Sequence, residues 1–172
     1  MAACGDDMAR GTRHGGTMTD DAMIALLSAA TRIACRQMTP QHLNALHASV
    51  EQASCLSASH DWERKSAAHA ELFTMLGDLT DDCDLVRLVS SATGWLRDLV
   101  VGVGAAADGI IASSRRRLLR RLRAWDADGA AQEVERHLGC LRFMGRLAGV
   151  GGHRGEQAME TAASASPRAT CQ

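Results

Sequence analysis

The chain has 172 residues, a formal net charge of −1 and 46% hydrophobic residues, with six Cys, two Pro and five aromatic residues, none of them Tyr. That length suits one domain that hides roughly two-thirds of its unfolded surface, and not two ordinary domains side by side. The balanced charge excludes a protein-wide field for nucleic acid or a membrane surface, and the longest apolar run, nine residues from Leu99 to Ala107, is under half of the about 20 that a membrane helix needs.

Residues 1–19 and 149–172 hold eight of the 16 glycines and carry no sustained apolar period, so both ends are expected to be disordered tails. The first of them has no apolar h-region and does not read as a secretory signal. Between the tails, residues 20–148 contain a single proline, Pro40, and are rich in Ala, Leu and Arg. This composition predicts an all-α fold. A first helix over 20–37 ends where the residue before Pro40 avoids helical geometry. Thr39-Pro40 places an N-cap before a proline at the first helical position, which starts a second helix over about 40–56. A third, about 60–79, carries Trp62, Leu72, Phe73, Met75, Leu76 and Leu79. The fourth is the plainest: Leu85, Leu88, Val89, Ala92, Trp95, Leu96, Leu99, Val100 and Val103 keep helical spacing over 83–103. A fifth covers about 109–124, and Asp126 caps a sixth over about 127–148, which stops at glycines. Six helices joined by short connections predict an antiparallel helical bundle.

Four charged or titratable residues fall on the wrong side of these helices. At about 100° per residue, Lys65 and His69 lie one turn apart inside the apolar stripe of the third helix. On the fifth, Arg115 faces inward with Leu118, Leu119 and Leu122, while Arg116, Arg117, Arg120, Arg121 and Arg123 face outward. On the sixth, His137 shares its face with Ala130, Val134, Leu141 and Met144. Cations in a bundle core are costly unless compensated. Local acids one turn away, Asp61 for Lys65 and Glu133 for His137, offer one compensation, and snorkelling to the bundle end another. A small-molecule anion or metal pocket in the bundle interior is the functional counterpart.

The six cysteines never approach C-x-x-C spacing. No zinc ribbon or thioredoxin motif follows, and reduced cysteines in a cytoplasmic protein are expected, with Cys35 and Cys140 as small core residues. No phosphate loop, nucleophile elbow or H-E-x-x-H occurs. The arginine run 115–123 reads as a solvated or dimer-rim face, since no aromatic residue lies within it to stack on bases. His42 and His47 suit capping or surface positions.

Three stretches resemble the FCD domain, the C-terminal effector-binding domain of FadR-type GntR transcriptional regulators. They are Ile33 to Leu46 (IACRQMTPQHLNAL), the helix around His69, and Leu118-Leu119, Asp126, Ala130 and His137-Leu138. The resemblance spans about residues 20–148 and implies a ligand-sensing, homodimeric bundle that is not an enzyme. In that family an Asp and three His hold a divalent metal, often zinc, that helps bind a carboxylate effector. By position these fall on Lys65, His69, Arg115 and His137, so two of the four ligands are cations here. A cation cannot coordinate a metal. The expectation is therefore no cofactor, with zinc on His69 and His137 as the alternative. Lys65 and Arg115 instead supply the positive charge directly to a small organic-acid anion, with His69 and His137 beside it. The family's N-terminal winged helix-turn-helix has no counterpart in the 19 residues before the bundle, so direct DNA binding by this chain is not expected. Two other classes remain as alternatives. One is a metal-dependent bundle enzyme using His69, His137, Glu133 and Asp61. The other is an interaction module that dimerises with a full-length regulator.

Overall fold

The computed structural model describes residues 18–56 and 58–149, all of whose regular structure is helical. The two predicted tails lie outside these residues, apart from Met18, Thr19 and Gly149. Six α-helices follow in order: α1 (Asp20–Gln37), α2 (Pro40–Ser54), α3 (Trp62–Asp78), α4 (Cys83–Val103), α5 (Asp108–Arg123) and α6 (Ala127–Leu147). A short 3₁₀ turn, Gly104–Ala107, leads from α4 into α5.

Side chains at the helix starts fix these boundaries. Thr19, Thr39, Asp61, Asp82 and Asp126 each accept a hydrogen bond from a backbone N–H in the first turn of the helix they precede. Such caps are each worth about 1 kcal/mol. At Thr39 the cap is a reciprocal box: Thr39 Oγ1 accepts from the His42 backbone N–H, and His42 Nδ1 accepts from that of Thr39. This is the capping role anticipated for His42. Asp126 accepts from the Gly129 N–H at 2.9 Å, and a Cβ on Gly129 would lie 2.1 Å from Asp126 Oδ2. A larger residue there would require the Asp126 carboxylate to shift.

The core is built mainly by α1, α3, α4 and α6, with α3 packed extensively on α4 and α1 on α6. Leu27, Leu46, Leu72, Phe73, Leu76, Leu96, Leu138 and Leu141 are fully buried there. Gly77 does not end α3 by flexibility. It is buried inside the helix, and a Cβ there would stand 2.8 Å from Val89 Cγ1 and 3.1 Å from Val89 Cβ, so it sets how closely α3 approaches α4. Polar bonds tie α1 to α6: Ser28 Oγ donates to Glu135 at 2.7 Å, and Arg32 pairs with Asp128 at 2.7 Å.

Two expectations about the core are corrected. Cys35 is buried, but Cys140 is exposed, on the flank of α6 that also carries exposed Arg136, Phe143 and Leu147. It lies at the edge of the apolar stripe, and no helix covers that edge. Leu88 likewise keeps the period of α4 yet is 43% exposed. No helix among the described residues is long and apolar enough to cross a membrane.

Helix α2 joins this core through Leu46 and Val50. It touches α3 and α5 but makes little contact with α1, α4 or α6. Between α2 and α5 a cleft opens, and the candidate site lies at its base.

Candidate functional site

The four residues singled out by helical periodicity are all buried: Lys65, His69, Arg115 and His137 are each less than 10% exposed. Helix α3 supplies Lys65 and His69 one turn apart, α5 supplies Arg115, and α6 supplies His137. The backbones of α3 and α5 come close at few points, and polar side chains bridge the space between them. Lys65 Nζ lies 2.7 Å from Asp108 Oδ2 and 4.3 Å from the centroid of the Trp62 ring. Arg115 Nε lies 3.3 Å from His69 Nδ1, and His69 Nε2 lies 2.9 Å from His137 Nε2.

These distances settle the tautomers of both histidines. A guanidinium has only donors, so His69 Nδ1 accepts from Arg115 and carries no proton. Neutral His69 then holds its proton on Nε2 and donates it to His137 Nε2. Neutral His137 must in turn carry its proton on Nδ1. That nitrogen is buried without a hydrogen-bond partner among the described residues, a cost of about 1–3 kcal/mol. Both rings stay neutral for a physical reason. Burial drives His69 well below its ordinary value, with His137 and Arg115 adding to the shift. Burial, then Arg115, Arg117 and Arg136, push His137 down to about 3. Phe73 meets the His69 ring edge-on at 5.5 Å and closes the apolar side.

Arg115 is the hinge between this sealed chain and the cleft. Its Nε is committed to His69, and its two Nη groups have no acceptor among the described residues. Burial lowers its pKa to about 10, partly opposed by Asp108, so it is fully charged at neutral pH. The cleft has a volume of about 1150 Å³, with Lys65 and Arg115 among its lining residues. His69 and His137 do not line it. The structure thus places two of the four residues at the cleft and seals the other two behind them.

The local acids do not play the roles expected of them. Asp61 is committed to capping α3, where it accepts from the Arg64 N–H at 3.0 Å, and Asp108 takes its place beside Lys65. Glu133, only 6% exposed, accepts from Ser114 Oγ at 3.0 Å and from Arg117 Nε at 2.9 Å, and it also pairs with Arg136. It holds the outer flank of α5 to α6 and leaves His137 alone. Asp108 had one sequence signal: it sits seven residues before Arg115, two turns away on the same face. The Trp62 ring under Lys65, three residues before it, was legible in the same way.

The donor set does not fit a resident metal. The two histidine Nε2 atoms are hydrogen-bonded to each other at 2.9 Å, and Arg115 holds the other ring nitrogen of His69. Among the described residues no group of three or more His, Cys, Asp or Glu could hold a metal ion. The set His69, His137, Glu133 and Asp61 is not brought together. No known protein-family model matches the sequence, and no curated protein matches it.

Proposed function

We propose that this chain is a ligand-sensing helical bundle of the kind its sequence resembles, the FCD effector-binding domain, and that it holds a small organic-acid anion without a metal. One observation carries the reading. Arg115 is buried and charged, it is held by a histidine rather than a carboxylate, and its Nη edge is left without a protein acceptor at the base of an open cleft. An anion entering the cleft gives that edge the acceptors that the protein does not supply. A carboxylate offers a guanidinium two parallel, charge-assisted hydrogen bonds. Lys65, already steered by Asp108, adds a second positive charge beside it. Homodimerisation, cytoplasmic location and service to a transcriptional regulator belong to this reading as what the resemblance implies.

Thermal-shift and calorimetric titration with a panel of small di- and tricarboxylic acids, with and without chelator, tests it. At least one acid should stabilise the protein, equally in both conditions. Arg115→Met should abolish that response while leaving stability within about 1 kcal/mol, because replacing a buried charge by an apolar side chain of similar length is often nearly neutral. A response that needs metal, or survives Arg115→Met, defeats the reading.

A further inference from the structure

The cleft continues beyond Arg115. Along α5, Arg116, Arg120 and Arg123 also line it. Their spacing of four and three residues puts them in one narrow arc of the helix, about 6 Å and then 4.5 Å apart along its axis. None of the three pairs with a carboxylate among the described residues. Arg116 only returns a hydrogen bond from Nε to the Ala112 carbonyl of its own helix. The run's other arginines are neutralised elsewhere, Arg117 by Glu133 and Arg121 by Asp126. Only two acids line the cleft, Asp108, which pairs with Lys65, and Glu51, which lies 3.6 Å from His47 on its own helix. The surplus is therefore a ladder: one buried guanidinium at the base and three above it on one side. Facing it, α2 contributes Val50 and Ala53, and Leu56 follows just beyond its end, with no Phe or Trp in the lining.

A single carboxylate uses one rung of such a ladder. From this arrangement we infer that the cleft takes a condensed phosphate group, pyrophosphate or longer, with its terminal phosphate on Arg115 and Lys65 and the following phosphates on Arg116, Arg120 and Arg123. This deepens the proposed function and rests on its reading of the cleft as the anion site. Each phosphate presents several acceptor oxygens to guanidinium forks. Repulsion along a chain of like charges is relieved only by cations distributed along it, which a helix face with an arginine on each turn provides. The concave, one-sided form suits a short chain, and the lining offers no Phe or Trp on which a nucleobase would stack.

Calorimetry at fixed ionic strength without divalent metal, using orthophosphate, pyrophosphate and triphosphate, tests the ladder. Affinity should rise with phosphate number, by about five- to tenfold for each phosphate added, given charge-assisted hydrogen bonds at partly exposed arginines. It should also fall steeply with salt. Arg120→Ser combined with Arg123→Ser, both at exposed positions where folding is not at risk, should remove that rise and leave orthophosphate and malonate binding unchanged. ATP compared with triphosphate tells an esterified chain from a free one, and both support the inference so long as affinity follows phosphate number. Equal affinity for all three phosphates, or a double variant that behaves as wild type, overturns it. A single-stranded oligonucleotide that outcompetes triphosphate overturns it in favour of a nucleic-acid surface. Binding of malonate without the phosphate rise defeats only the ladder. The phosphate rise without any response to organic acids defeats only the acid reading, and no response to any of these anions defeats both.

Discussion

On the α6 side of Arg115, two neutral imidazoles are hydrogen-bonded to each other, Phe73 meets the ring of His69 edge-on, and every ring nitrogen but one has a partner. On its α2 side, five arginines and Lys65 share a cleft with only two acids, Asp108 and Glu51. The first region excludes charge and the second accumulates it, although His69 and His137 of the first and Lys65 and Arg115 of the second are all inward-turned basic residues of similar sequence appearance. What separates them is access to water. Helix α6 closes over His69 and His137 and forces them neutral, whereas α2 stands off α5 and lets the guanidiniums keep their charge. Basic residues inside a bundle therefore do not define a site by themselves; the helix that fails to cover them does.

Acid breaks this comparison most forcefully. Both histidines have native pKa values depressed below the ordinary 6.5. Above pH 6.5 neither state binds the protons and the histidines contribute no pH dependence. Below it the unfolded chain takes up two protons that the native state refuses, so stability is lost as pH falls, down to about 3 for His137. His137 contributes about 1.4 kcal/mol per pH unit within that window, about 2.5 kcal/mol between pH 6 and pH 4, and His69 adds a loss of the same sign. Urea unfolding at pH 6, 5 and 4 measures it. His137→Gln, whose amide oxygen can still accept from His69 Nε2, should make the acid slope shallower by the His137 share. If wild type and variant lose stability in parallel, the sealed chain does not hold its rings neutral.

The same comparison explains what could be read from the sequence. All six helices and nearly all their ends were legible, because capping and apolar period are local: Thr39-Pro40, Asp126 and the stripe of α4 each act within one or two turns. The inward orientation of Lys65, His69, Arg115 and His137 followed from the same periodicity. Their partners did not, since the nearest acid in sequence was already spent on another task. Asp61 caps its helix and Glu133 turns toward Ser114 and Arg117. The division of the four residues into a cleft pair and a sealed pair was not legible at all. It depends on where α2 lies, which is a matter of tertiary packing that no helix wheel contains. Cys140 and Leu88 failed for a related reason, since an apolar stripe shows which way a helix prefers to face and not how far its neighbour extends.

A smaller effect sharpens the packing side. If the dry region owes its closure to the seat of α3 on α4, enlarging Gly77 should loosen it. Gly77→Ala gains up to about 1 kcal/mol of helix propensity, but its Cβ meets Val89 at Cγ1 and at the stiff Cβ, and overpacking of this kind costs about 1–3 kcal/mol. Net destabilisation of up to about 2 kcal/mol is expected by denaturant titration. Gly94→Ala on α4, where nothing lies within 4 Å, should instead stabilise by about 0.5–1 kcal/mol. The two variants carry the same substitution in helix interiors, so equal effects would mean that close packing at Val89 does not matter.

The smallest stability change is expected at Asp108, the one acid on the charged side that is tied to a candidate residue. Its carboxylate is 42% exposed, and Lys65 borders the cleft, so Lys65 can turn to water when the pair is broken. Asp108→Asn should therefore cost no more than about 1 kcal/mol in stability. The binding effect runs the other way. Asp108 opposes the burial that lowers the pKa of Arg115, so its loss lowers that pKa further below about 10. The guanidinium nevertheless stays protonated at neutral pH. The net result is one negative charge fewer beside two cations that remain charged, and anion affinity should rise by several-fold at low salt, with the gain fading as salt is added. A loss of affinity in Asp108→Asn would mean that Asp108 holds Lys65 in position for the anion rather than competing with it, and the positive side of the comparison would then depend on placement more than on charge.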